Sequence, residues 1–414
     1  MNLSVFQAYF RKFSLRPQLI VKTPAENLGM VVVIPCHNEP DIESAIYSLN
    51  KAKEPGFSVE VIVVVNQAGS ADDIVKLQNL NSLKKLNSVA AETWFELHLL
   101  SELNLPVKHA GVGLSRKIGM DEALRRFSVL SRNGVIACFD ADSKVEENYF
   151  TELEVVFKQS VSGCNIYFEH DLNGPNALVN EAITDYELFL RYYNLAINYA
   201  SLPYGHFTIG SSMAVTCEAY IKVGGMNKRK AGEDFYFLHK IIQLGNFKEV
   251  TSTTVFPSSR VSDRVPFGTG KAIKSRLDSG AKHLETYPLD GFVLLREFAR
   301  KISAYDLNNW PEDVKSFLPE NFTDRLGKIR VTNRSQEKYV SGVFQLFNAF
   351  QALKFLHFKR DQGSSIYLND AVKELFLELN INFDHAANNY ALLMTLRGID
   401  RKKLYRNKGV KTKP

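Results

Sequence analysis

Between about residue 30 and residue 256, short apolar runs alternate with stretches whose apolar residues recur every three or four positions. The runs at 30–35, 59–65, 95–100, 134–139, 164–168, 212–215 and 250–256 predict strands. The spaced stretches at 41–51, 71–85, 113–124, 147–157, 181–199 and 233–244 predict helices. Residues 30–35 are apolar without interruption, as in a strand covered on both faces. Strand–helix alternation of this kind predicts an α/β fold with a mostly parallel sheet. Ligands of such sheets sit at the carboxyl ends of the strands, which selects residues 36–39, 66–70 and 140–142.

After residue 256 the texture changes. Residues 257–270 are rich in Ser, Arg, Gly and Pro and read as a loop. From 271 onward the pattern is helical, with stripes such as Val343, Leu346, Phe347, Phe350 and Leu353. The predicted organisation is an N-terminal helical segment (1–28), a catalytic domain (29–270), a helical region (271–396) and a basic tail (397–414).

Composition sharpens this picture at three points. The 414 residues carry a net charge of +6. Arg397, Arg401, Lys402, Lys403, Arg406, Lys408, Lys411 and Lys413 against Asp400 place +7 in the tail, which leaves −1 for the rest. A body near neutrality speaks against nucleic acid as a partner, and the tail has the character of a solvated end or a contact with anionic lipid. Cys36, Cys138, Cys164 and Cys217 form no C-x-x-C pair, and no leader segment is apparent, so buried thiols in a reducing cytoplasm are expected. No apolar stretch approaches the roughly 18 residues that span a bilayer. Residues 5–13 are amphipathic and suit either a packed helix or a membrane surface.

Four motifs carry candidate chemistry. Asp140-Ala141-Asp142 follows an apolar strand and offers two carboxylates to one hard cation, Mn²⁺ or Mg²⁺. The alternative is a turn that caps the next helix. Gly232-Glu233-Asp234 opens a helix, where acids are favoured by the dipole; Asp234 is also placed to act as a general base. His239, five residues on, is a third candidate metal ligand, with a core or surface histidine as the alternative. In 257–271, Arg260 and Arg264 lie four apart among hydroxyls and glycines, a set suited to a diphosphate. Gly111-Val112-Gly113-Leu114-Ser115-Arg116-Lys117-Ile118-Gly119 places glycines before a helix, with Arg116 and Lys117 as anion contacts.

In order and spacing these pieces resemble the family 2 glycosyltransferases, which have the GT-A fold. Val31-Val32-Val33-Ile34-Pro35-Cys36-His37-Asn38-Glu39 is similar to that family's opening strand, and Ser115-Arg116-Lys117-Ile118-Gly119 to its A-R-N-x-G helix start. Asp140-Ala141-Asp142 matches its D-x-D. Residues 210–226 resemble its acceptor-side block, and Glu233-Asp234 its catalytic E-D. The resemblance covers about residues 29–256. It implies that Pro35, His37 and Glu39 line a nucleotide pocket, that Asp140 and Asp142 hold the metal against a diphosphate, and that Asp234 is the base, supported by Glu233. It further implies a nucleotide-diphospho-sugar donor, a glycan or glycolipid acceptor, inversion at the anomeric carbon, and work in the cytoplasm or peripherally at the inner face of the membrane.

The sequence departs from the family where D-D-G-S is usual. Asn66-Gln67-Ala68-Gly69-Ser70 stands there, with an amide first and one residue inserted. The Q-x-x-R-W signature of processive synthases is absent, so a single addition is expected. Three other readings stay open. A nucleotidyltransferase would carry a glycine-rich loop right after the first strand, where Pro35-Cys36-His37-Asn38-Glu39 stands. A haloacid-dehalogenase-type phosphatase would carry its D-x-D earlier in the unit. A non-catalytic sugar-nucleotide binding protein would not need Asp234.

Overall fold

In the computed structural model the described residues are 1–262, 268–280, 283–306, 309–333, 335–363 and 365–404. They form two compact units, residues 1–179 with 208–275, and residues 180–207 with 276–414. These boundaries differ from those expected. The N-terminal segment belongs to the first unit, and 180–207 belong to the second although they continue the helical pattern of the first.

The first unit is built on β1 (Leu28–Cys36), β2 (Ser58–Ala68), β3 (Glu96–Leu105), β4 (Val135–Cys138), β5 (Lys144–Val145), β6 (Gly163–Phe168), β7 (Met213–Thr216) and β8 (Phe247–Phe256). They make one sheet in the order β3-β2-β1-β4-β7-β6-β8-β5. β1 to β4 pair in parallel, β7 runs antiparallel to both β4 and β6, and β5 is antiparallel to β8. The sheet is therefore mixed, and its parallel half is where the alternation is most regular.

β1 and β2 are buried along nearly their whole length, because helices cover both faces. On one face lie α2 (Ile42–Lys51), α3 (Asp73–Val89) and α5 (Tyr149–Phe157), packed on Met30, Val32 and Ile34. In α2 the buried residues are Ile42, Ala45, Ile46 and Leu49, the stripe that a 3.6-residue period aligns. On the other face α1 (Leu3–Phe13), α4 (Val112–Val129), α7 (Cys217–Lys222) and α8 (Glu233–Ile242) pack on Val31 and Val33. Gly119 lets α4 sit close to the sheet; a Cβ there would meet Val33 at 2.4 Å. All four cysteines are buried and free. α1 uses its apolar side internally: Phe6 and Tyr9 are buried, and the Tyr9 hydroxyl donates to Asp121 at 2.7 Å.

The chain crosses between units three times, within α6 (Ala177–Tyr199), between residues 207 and 208, and within α9 (Thr269–Ser279). The second unit holds α10 (Leu289–Ser303), α11 (Glu312–Phe317), α12 (Phe322–Thr332), α13 (Gln336–Leu346), α14 (Ala349–Asp361), α15 (Leu368–Glu378) and α16 (Asn389–Arg401). A small antiparallel pair, β9 (Glu285–Thr286) and β10 (Ile366–Tyr367), completes it. Its centre contains an ionic network. Arg191, buried in α6, donates to Glu187 at 2.8 Å and to Asp400 at 2.5 Å, and Arg397 donates to both oxygens of Glu187 at 2.8 Å. Arg397 and Asp400 are thus core residues of α16 and not the start of a solvated tail. Residues 405–414, with the remaining tail charges Arg406, Lys408, Lys411 and Lys413, lie outside the described residues. No described helix is long and apolar enough to cross a membrane.

Candidate active site

The carboxyl ends of β1, β2 and β4 bring the candidate residues together in the first unit. β1 ends through Pro35, which stands two residues after Val33, whose carbonyl accepts from the Phe139 N–H at 3.0 Å. β4 stops opposite Val33, so the N–H that proline lacks faces no ladder partner there. Pro35 itself is buried inside the sheet, and the wall of the neighbouring cleft is made by His37, Asn38 and Pro40 instead.

The turn after β1 is held by amides. Asn38 adopts a left-handed conformation (φ 49°), which Asn tolerates better than most residues. Its N–H donates to Asn79 of α3 at 2.8 Å; the Asn79 amide donates to the Asn66 carbonyl and to Gln67. Ser82 donates to the Glu39 carbonyl at 2.9 Å. His37 Nδ1 donates to the Asn66 carbonyl at 2.8 Å, which fixes its tautomer. Asn79 and Ser82 were missed in the sequence. Their signal is two polar residues three apart on the buried stripe of α3.

Asn66 is buried. Its amide nitrogen donates to the Cys36 carbonyl at 2.9 Å and to Ser115 Oγ at 3.1 Å, which ties β1, β2 and α4 together. β2 continues to Ala68, so the loop expected at 66–70 begins only at Gly69.

Two arginines organise the carboxylates. Arg116, 1% exposed, donates to Asp140 at 2.6 Å and pairs with Glu233. It is a fixed bridge rather than the open anion contact expected. Gly210 makes room for it: a Cβ there would meet its guanidinium at 2.7 Å. Lys117 points elsewhere, to Asp121 at 3.0 Å and Tyr9 at 3.3 Å, and is buried under α1. Arg260, whose side chain is 43% exposed, donates to both oxygens of the buried Glu39 at 3.1 and 2.6 Å and to Asp142 at 3.0 Å. Arg264 lies outside the described residues.

Asp234 follows Glu233 at the start of α8. Its carboxylate accepts from the Phe235 N–H at 2.8 Å and from the Gly210 N–H. Desolvation pushes both neighbouring carboxyls above their usual range. Arg116 opposes that rise, and the mutual repulsion of the acids adds to it. Asp140 and Glu233 thus meet at Arg116, and Glu39 and Asp142 at Arg260, with Asp234 beside the first pair.

His239 is not brought to this cluster as a metal ligand. It packs edge-on against Phe235 at 4.4 Å between ring centres, and among the described residues no three His, Cys, Asp or Glu side chains are grouped to hold a metal. Beside the carboxylates, His37, Asn38, Pro40, Val75, Arg260 and Ser262 line a cleft of about 530 Å³.

No family profile and no curated protein sequence matches the chain. Solved structures similar to it include S. aureus TarS 1-349 in complex with UDP-GlcNAc, at 14% identity over 81% of this chain and 92% of that chain, with a TM-score of 0.40. TarS 1-349 in complex with UDP is also similar, at 14% identity over 91% and 89%, with a TM-score of 0.37.

Proposed function

We propose that the first unit is a glycosyltransferase that uses a nucleotide-diphospho-sugar donor and a divalent cation, Mn²⁺ or Mg²⁺. The observation that carries this is the meeting of Asp140, Asp142, Glu233 and Asp234 around two arginines, at the strand ends where an α/β sheet binds ligands. The donor set suits a hard cation. It consists of carboxylate oxygens, and a protein that offers two carboxylates leaves the other positions to water and diphosphate oxygens. Asp140 and Asp142 would hold the cation, which offsets charge on the leaving diphosphate.

The remaining work falls to the chain's own side chains. Asp234 takes the proton from the acceptor hydroxyl as that oxygen attacks the anomeric carbon. Its raised proton affinity makes it a better base than an exposed carboxylate. Glu233 is a positioning residue, because its carboxylate is occupied by Arg116. The cleft lined by His37 and Val75 accepts the nucleoside, and Arg260 turns from Asp142 to the diphosphate. Attack opposite the leaving group gives inversion, and the absence of Q-x-x-R-W supports a single addition rather than a processive one. The acceptor is a glycan or glycolipid, and the tail beyond residue 404 supplies any peripheral contact with a membrane.

The test is a thermal-shift screen of nucleoside diphosphates and their sugars with and without Mn²⁺. A ligand bound by the folded state alone raises the melting temperature, by about 2.7 kcal/mol of stabilisation at a hundredfold excess over Kd. The expected result is stabilisation by one nucleoside diphosphate, increased by Mn²⁺ and lost in Asp140→Ala/Asp142→Ala. No response to any nucleotide removes the reading.

A further inference from the structure

The second unit contains a cleft of about 830 Å³ where α12 turns into α13. Gly342 of α13 forms its floor against Ile329 of α12; a Cβ at Gly342 would meet Ile329 at 2.8 Å. Arg325 and Lys328, one turn apart on α12, line one wall, and Lys338 lines the other. Glu337 is the single acid of the lining, which leaves a charge of +2. Within the second unit's described residues, none of the three cations forms an ion pair, whereas nearby basic residues are engaged. Lys359 pairs with Asp313 at 2.7 Å, Lys301 with Asp306 at 2.9 Å, and Arg330 lies over the Tyr305 ring. Ser341 and Gln345 add neutral hydrogen-bonding groups to the same wall.

We infer that this cleft is a second binding site, for an anionic glycan: a hydroxyl-rich chain bearing sulfate, carboxylate or phosphate groups. Three cations without counter-ions supply charge-assisted hydrogen bonds to the anionic groups, and the serine and glutamine side chains match hydroxyls between them. The volume lies within the range of built ligand sites and exceeds what a lone oxyanion fills. Nucleic acid fits less well. Single strands are held on aromatic platforms, and among the described residues no Phe, Tyr or Trp lines the cleft. A lipid surface fits less well too, because peripheral binding needs an apolar face pressed into the interface, and here the site is a recess with Ile329 and Leu346 as its apolar groups. The inference does not depend on the reaction proposed for the first unit.

The experiment measures binding of the full chain to dextran sulfate, with neutral dextran, poly-U RNA and phosphatidylserine vesicles as separate arms. Dextran sulfate is expected to bind, and neutral dextran is not. Arg325→Glu/Lys328→Glu should weaken binding at least about tenfold, equivalent to roughly 1.4 kcal/mol. Lys158→Glu/Lys222→Glu changes net charge equally on the first unit and should leave binding unaltered. Equal weakening in both variants would reduce the site to general electrostatics and overturn the inference. So would binding of neutral dextran, or poly-U or vesicles bound more tightly than dextran sulfate with the same dependence on Arg325 and Lys328. Should the reversal variant unfold at a lower temperature than wild type, Arg325→Ala/Lys338→Ala carries the same comparison without introducing acids.

Discussion

Arg116 and Arg260 do the same thing in different surroundings. Each guanidinium bridges two carboxylates of the candidate site, Asp140 and Glu233 in one case, Glu39 and Asp142 in the other. Arg116 is 1% exposed, and Arg260's side chain 43%. That difference decides what each can do. A buried guanidinium cannot leave without stranding charge in a desolvated place, so Arg116 is part of the frame. A half-exposed one exchanges partners with water or an incoming anion at small cost, so Arg260 can belong to the working cycle.

The largest effect separates them directly. Arg116→Met leaves Glu233 buried beside Asp140 and Asp234 with no cation between them. Breaking a buried pair from one side costs about 3–5 kcal/mol, so denaturant unfolding at neutral pH should show a loss of that order. Part of it should return in acid, where Glu233 takes up a proton. A variant as stable as wild type at pH 7 would mean that Arg116 is no frame residue.

Asn66→Asp comes next, and it bears on how much of the site the sequence disclosed. The asparagine stands where the family resemblance leads one to expect an acid that contacts the nucleotide base. In the structure its amide donates to the Cys36 carbonyl and Ser115, and a carboxylate cannot donate to a carbonyl. The substitution should cost about 1–3 kcal/mol, as for a buried group left unsatisfied, with no gain in nucleotide affinity. Tighter nucleotide binding without loss of stability would restore the ligand-facing role.

What was legible and what was not divides along the same line. The apolar runs of β1 and β2, the acids after β4 and the acids opening α8 are local patterns, and each appears in the structure at its expected place. Partners distant in sequence left no such trace. Arg116 and Lys117 look equivalent in the chain, yet the helix turns about 100° between them. One reaches Asp140 and Glu233, while the other reaches Asp121 and Tyr9 under α1. The i,i+4 relation of Lys117 to Asp121 was the one local clue. Arg397 and Asp400 were grouped with a charged tail because nothing nearby announces Glu187 and Arg191, some two hundred residues earlier.

Arg260→Ala should cost less than Arg116→Met, about 1–3 kcal/mol, because Glu39 loses a partner while buried but the half-exposed arginine leaves a space that water reaches. Its effect on ligands should be opposite in sign for the two components of the donor complex. Asp142 no longer has to release a cation, so Mn²⁺ alone should bind several-fold more tightly, by roughly the free energy of a weak ion pair. The nucleoside diphosphate should bind more weakly, because its phosphate partner is gone. Titration of Mn²⁺ by electron paramagnetic resonance, with and without nucleotide, reads both. If both affinities fall together, Arg260 orders the site and does not exchange.

The smallest effect on stability is in pH. Asp234 binds its proton more tightly in the folded protein than in the unfolded chain, since desolvation outweighs the pull of Arg116. A raised carboxyl of this kind contributes stability in acid, below the unfolded value of about 3.9, and loses that contribution as pH climbs through its folded value. Asp234→Asn removes the titration. The variant should therefore match wild type in acid and become relatively more stable towards neutrality, while turnover drops by about 10²–10⁴ for loss of a base. The acid limb of wild-type activity should fall above the ordinary aspartate range. Because Glu233 titrates with its neighbour, that limb reports the pair, and Glu233→Gln should move it downward without abolishing it. A limb that stays put in Glu233→Gln while Asp234→Asn abolishes turnover would assign the proton to Asp234 alone.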